Sequence, residues 1–127
     1  MGVQVVTDTQ NKHIAGIIFS SLNNRELSLL TNYLDENAAF DFPGTKLIKG
    51  RKKILTFFKI LFRKYPRLTF TIEKTIEDGE QVCVQWTNEG VTSQGNPYNN
   101  RGITFVHISE GKIHFISDYF KNTSFAD

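Results

Sequence analysis

Apolar residues recur at helical spacing in the first half of the chain and at alternate positions in the second. Ile14, Ile17, Ile18 and Leu22 define a first helix, with Asp8 or Thr9 as its cap and Asn23-Asn24 as its end. Leu27, Leu30 and Leu34 predict a short second helix. Ala38–Phe42 reads as a strand stopped by Pro43-Gly44. The third helix carries the clearest signal. From Arg51 onward, Ile54, Phe57, Phe58, Leu61, Phe62 and Tyr65 share one face, while Lys52, Thr56, Lys59 and Arg63 line the other. Pro66 closes it, because the residue before a proline avoids helical geometry.

Beyond Pro66 the period becomes two. Leu68–Ile76 and Gln81–Trp86 flank the turn Glu77-Asp78-Gly79. Matching apolar faces favours a bulged register that pairs Ile72 with Val84 and Phe70 with Trp86. Gly90–Asn100, polar and rich in Gly and Asn, reads as a loop. Gly102–Ile108 and Ile113–Phe120 form a last hairpin around Ser109-Glu110-Gly111-Lys112. Helices and strands are segregated, which predicts an α+β fold: a curved, mostly antiparallel sheet packed on three helices.

Composition narrows the function classes. A chain of 127 residues is expected to form a single domain, residues 1–127, and its 11 Phe supply a core. Fifteen basic and thirteen acidic residues give a net charge of +2, which points to no particular partner. The single Cys83 excludes an internal disulfide and fits a reducing compartment. No apolar run reaches the ~18 residues of a membrane span, and Met1–Val6 lacks the pattern of a secretion signal. The expectation is a cytoplasmic protein with no membrane partner. Nine of the fifteen basic residues fall in residues 46–67, without an acid among them. They lack interleaved exposed aromatics for base stacking, so a solvated helix face is expected and no nucleic-acid partner. His107 and His114 are neighbours across the last hairpin but lack a third ligand, and no metal site is expected. His13 stands alone on its helix and is expected to be solvated.

One residue resists the strand pattern. Asp118 sits two positions from the end of a strand that is otherwise apolar on both faces. Pairing Ile108 with Ile113 across the turn brings Ile103 opposite Asp118 and Phe105 opposite Ile116. Arg101 then lies one diagonal step from Asp118, within reach of a long side chain. Either this is a structural ion pair, or Asp118 enters a pocket as a perturbed carboxylate.

The segments AFDFPG, Gly50 ahead of a helix, DGEQVCVQW and RGITFVHISEGKIHFISDYF, taken in order, resemble the SnoaL-like and ketosteroid-isomerase-like families of the nuclear-transport-factor-2-like superfamily. The resemblance spans roughly residues 10–121 and implies a cone: a bent sheet wrapped around helices, with a pocket at the wide end. It also implies a homodimer paired through the sheet, a small hydrophobic molecule as ligand and no cofactor. The isomerase oxyanion donors fall on Ile18 and Ile103, which can donate nothing. The Arg and Asp of the epoxide-hydrolase-like members fall on Trp86 and Asn88. Both departures argue against those mechanisms. SnoaL-like cyclases need one strand carboxylate in an apolar pocket, a role open to Asp118.

The expected site therefore has Asp118 as acid/base and Asp41 as assistant, although alignment leaves either Asp41 or Phe42 facing the pocket. Trp86, Asn88, Arg101, Ile103, Phe105, Ile116 and Tyr98 would contact substrate. Tyr119 alternates to the opposite face, for packing or an interface. The expected activity is cofactor-independent cyclisation or isomerisation of a small carbonyl compound. The alternative is a non-catalytic ligand-binding or dimerisation module.

Overall fold

The computed structural model describes residues 3–121, and side-chain surroundings from residue 10 onward. Three helices, α1 (Val3–Asn24), α2 (Ser28–Tyr33) and α3 (Arg51–Lys64), pack on a six-stranded sheet. Its strands are β1 (Leu34–Asp41), β2 (Ile48–Lys49), β3 (Arg67–Asp78), β4 (Gln81–Val91), β5 (Pro97–Ser109) and β6 (Lys112–Phe120). The spatial order is β2-β1-β6-β5-β4-β3. Every pairing is antiparallel except β1 with β6. This is the α+β architecture that the segregated periodicities predict.

Apolar spacing explains which faces are buried. On α1, Ile14, Ile17 and Ile18 are buried with Ala15 and Phe19. Its backbone begins at Val3, earlier than expected, so Asp8 and Thr9 lie within the helix, their side chains outside the described residues. Its end is anchored to the sheet. The Asn23 amide donates to the Phe70 carbonyl (3.0 Å) and accepts from the Phe70 N–H (2.7 Å), standing in for a neighbouring strand. Arg25, just beyond α1, donates to the carbonyls of Phe62 (3.0 Å) and Tyr65, satisfying orphan acceptors at the end of α3. On α3, Ile54 and Phe58 are buried, while Lys52, Thr56, Lys59 and Arg63 are exposed.

Several strand boundaries differ from the sequence reading. β1 begins at Leu34, and β2 is a two-residue strand that periodicity cannot reveal. Most of the expected loop at 90–100 is strand: Gly90 pairs with Tyr98 and Val91 with Pro97, leaving only residues 92–96 to connect β4 to β5. The first hairpin turns at Gly79-Glu80, with Asp78 opposite Gln81. An irregularity between Ile72 and Lys74 then places Ile72 opposite Trp86 and Phe70 opposite Asn88, which corrects the expected pairing. Phe70 and Trp86 still touch as diagonal neighbours, their ring centroids 5.2 Å apart.

The larger correction is in the last hairpin. Ile108 pairs with Ile113 as expected, but His107 pairs with Phe115, so His114 is an extra residue in β6. A bulge of this kind reverses the facing of everything beyond it. Thr104, rather than Ile103, lies opposite Asp118, and Val106 lies opposite Ile116.

Candidate active site

The sheet's inner face, with α1 and α3, encloses a cavity of about 310 Å³. α1 contributes Ile18, Phe19 and Leu22, and α3 contributes Phe58 and Leu61. Phe40 and Phe42 enter from β1 and the turn after it, and Phe70, Trp86, Ile116 and Phe120 from the rest of the sheet. Lys64, Tyr65 and the Pro43-Gly44 turn also border the space. The wall is therefore mainly apolar and aromatic, with polar groups at Asn88, Tyr98, Asn100, Thr104 and Asp118.

Asp118 heads a short relay. The Trp86 indole N–H donates to the Thr104 hydroxyl (2.9 Å), and that hydroxyl donates to Oδ1 of Asp118 (2.6 Å). Trp86 and Thr104 are both buried, so the relay fixes the Oδ1 edge of the carboxyl. Asp118 keeps part of its surface accessible, yet loss of water dominates its protonation. The cavity reconciles the two facts, because Asp118 lines a largely apolar cavity rather than the open surface. Burial pushes its pKa up to about 7; the Thr104 hydrogen bond opposes the rise and the negative charge of Asp41 adds to it.

Asp41 itself is not on the cavity wall. β1 runs parallel to β6 with Asp41 opposite Ser117, and the Ser117 hydroxyl donates to its Oδ2 (3.1 Å). Phe40 and Phe42 occupy the inward positions instead, which settles the alternative left open by the sequence. Asp41 acts on Asp118 through charge alone.

Of the other residues singled out from the sequence, Trp86, Asn88, Ile116 and Tyr98 line the cavity. Arg101, Ile103 and Phe105 do not; all three are exposed, because regular alternation along β5 puts them on the face opposite Thr104, Val106 and Ile108, while the His114 bulge turns Asp118 inward, away from them. The expected Arg101–Asp118 contact is thereby removed. Tyr119 lies on the outer face, where its ring meets Phe105 at 6.3 Å. Tyr98, expected in a loop, belongs to β5, and its ring packs on Tyr65 at 4.6 Å. Burial and Tyr98 together push the Tyr65 hydroxyl up to about 12, so it stays protonated at neutral pH.

Thr104, Asn100, Phe40 and Tyr65 were missed from the sequence. A signal for the first two existed: Asn100, Thr104, Val106 and Ile108 alternate as the buried positions of β5. Reading that strand from its own alternation would have placed Thr104 inside. His107 and His114 approach to 6.0 Å, and their nearest polar neighbours include Gln81, Glu80 and Asp35. Among the described residues no group of three or more His, Cys, Asp or Glu side chains is arranged to hold a metal ion. No helix among them is long and apolar enough to cross a membrane.

Solved structures share this architecture. A putative SnoaL-like polyketide cyclase from Jannaschia sp. superposes with a TM-score of 0.83 at 17% identity, over 92% of this chain and 89% of that one. A protein of unknown function related to nuclear transport factor 2, from Burkholderia pseudomallei, gives 0.83 at 14% identity, over 91% and 93%. TerC, crystallised with polyporic acid, gives 0.81 at 16% identity, over 92% and 95%. At these identities the likeness establishes the fold. No curated protein matches the chain. The SnoaL-like domain family, however, matches residues 18–116, which run from the cavity wall of α1 to that of β6, and the chain belongs to that family.

Proposed function

We propose that this protein is a cofactor-independent acid/base enzyme that cyclises or isomerises a small, hydrophobic, carbonyl-containing substrate. The observation that carries the reading is the placement of Asp118: a carboxyl with a pKa near neutrality on the wall of an apolar cavity, tied at Oδ1 by Thr104. Its Oδ2 is then the atom that exchanges a proton with substrate. A pKa near the working pH lets one group serve as base in one step and acid in the next. Trp86, Ile116, Phe40 and Phe42 shape the space that orients a flat apolar ligand. Asp41 tunes Asp118 from the other face of the sheet. The likeness to a putative polyketide cyclase is consistent with this substrate class.

A purely binding module is the second reading. It would be favoured by an Asp118 neutralised by Arg101 or by a cavity filled with side chains. The outward Arg101 and the open volume both weigh toward chemistry. The experiment is proton exchange α to the carbonyl of a panel of aromatic ketones, followed by NMR in deuterated buffer. Wild type should accelerate exchange, and Asp118→Asn should lose about 10²–10⁴ of the rate. Unchanged exchange in Asp118→Asn would leave binding as the function.

We also assign the outer face of the sheet to a second copy of the chain. Ile103, Phe105, Phe115 and Tyr119 are exposed apolar side chains on the outer face of β5 and β6, with the Phe105 and Tyr119 rings in contact.

A further inference from the structure

Two charged side chains line the cavity, at different depths. Asp118 is tied to Thr104, and Thr104 to Trp86, both of them buried. Lys64, the last residue of α3, is exposed; of the lining residues only it and Gly44 are, so they mark where the cavity opens. Its Nζ stands 6.0 Å from the ring centroid of Tyr65, itself part of the wall. Among the described residues no carboxylate lies within ion-pairing distance of that ammonium. A helix C-terminus favours a cation, which would be the ordinary reason for a lysine here. That role is already filled: Arg25 holds the Phe62 and Tyr65 carbonyls, and the Ser93 N–H holds that of Lys64 (2.9 Å).

The rest of the rim has the same sign. Residues 43–46 and 64–68 carry Lys46, Lys64 and Arg67, all exposed, and no acid. The connection at 92–96, hydrogen-bonded to Lys64 through Ser93, is uncharged. A mouth bordered by one sign of charge raises the local concentration of the opposite ion. The strands give the depth. Tyr98, whose ring packs on Tyr65, is six residues along β5 from Thr104, on the order of 20 Å along the strand. A ligand that meets both Asp118 and Lys64 is elongated, apolar in its middle and anionic at the end nearest solvent.

We infer that Lys64 is a specificity-determining residue, which pairs with a carboxylate at the outer end of an elongated aromatic carbonyl substrate whose carbonyl lies at Asp118. The inference rests on the acid/base reading of the cavity and adds the charge of the substrate's second end. Lysine presents three donors on a flexible stem, which lets it follow a carboxylate at an open rim.

The probes are 6-acetyl-2-naphthoic acid and 4′-acetylbiphenyl-4-carboxylic acid, each set against its own carboxamide, a neutral group of the same shape. Calorimetry gives the dissociation constants. Wild type should bind at least one acid about three- to tenfold more tightly than its amide, and high salt should remove most of that preference. Lys64→Gln should bind acid and amide equally, with the affinity for the amide unchanged. Lys53→Gln removes an exposed α3 lysine that does not line the cavity, and it should keep the preference. Equal binding of acid and amide by wild type overturns the inference. So does a preference that survives Lys64→Gln, or one that Lys53→Gln abolishes just as well. Acids that all bind more weakly than about 1 mM overturn it too, because a substrate class must bind. A failure of the Asp118 assignment would show instead as unchanged proton exchange in Asp118→Asn, a separate readout.

Discussion

The chemistry of a single carboxyl depends here on three neighbours of different kinds. Apolar walls raise the pKa of Asp118, Asp41 raises it further through charge, and the Thr104 hydroxyl lowers it. A carboxyl held near 7 costs stability at neutral pH. The unfolded chain releases this proton near 3.8, whereas the folded chain keeps it until about 7. Between those values the folded state binds more protons, so stability falls as pH rises through the window. Asp118→Asn removes that loss. At pH 8 the variant should be more stable than wild type by about 2–4 kcal/mol in urea unfolding, and the difference should close toward pH 4. A constant difference across the range would mean that Asp118 titrates normally. The same logic gives Asp41 a role without a place in the cavity: neutralising it should bring the Asp118 pKa down.

At the scale of elements, one irregularity decides what the cavity contains. Ile113 and Ile116 both point inward, an odd spacing that only the His114 bulge permits. Without it, Asp118 would face outward. Strand existence was legible in the sequence, since alternation from Thr104 to Ile108 and the turn at Glu110-Gly111 are both strong local signals. Register was not, because β6 is apolar on both faces and either phase of alternation satisfies it. The polar stretch Pro97–Asn100, expected as loop, is strand for a related reason. Its inward residues face a cavity rather than a core, so they lack the apolar signature of a strand. Helix α3 was read correctly because one of its faces meets the core and the other meets water. Gly102 shows how tightly β5 meets β6 near the site. A Cβ there would lie 2.3 Å from the Tyr119 carbonyl oxygen, backbone that cannot yield cheaply. Gly102→Ala should destabilise by roughly 2–4 kcal/mol in chemical denaturation. A loss under about 0.5 kcal/mol, the range of an ordinary surface substitution, would show that the strands separate freely at that point.

The whole molecule gives the two faces of one sheet different tasks. The inner face closes over the cavity with α1 and α3, and the outer face presents Ile103, Phe105, Phe115 and Tyr119. Arg101, Ile103 and Phe105 thus move from expected substrate contacts to that outer surface. If a second copy covers it, light scattering coupled to size exclusion should give a dimer for wild type and a monomer for Phe105→Asp. A monomeric wild type would leave the face without this partner. The sheet's curvature, the bulge and the aromatic helix faces together set the environment of Asp118, and its protonation tests the account most directly. The measurement is the Asp118 carboxyl titration by carbon NMR, in wild type and in Arg101→Met. The account predicts a pKa of about 7 that does not move in the variant. A value at or below the ~3.9 of a free aspartate, rising when Arg101 is replaced, would contradict it.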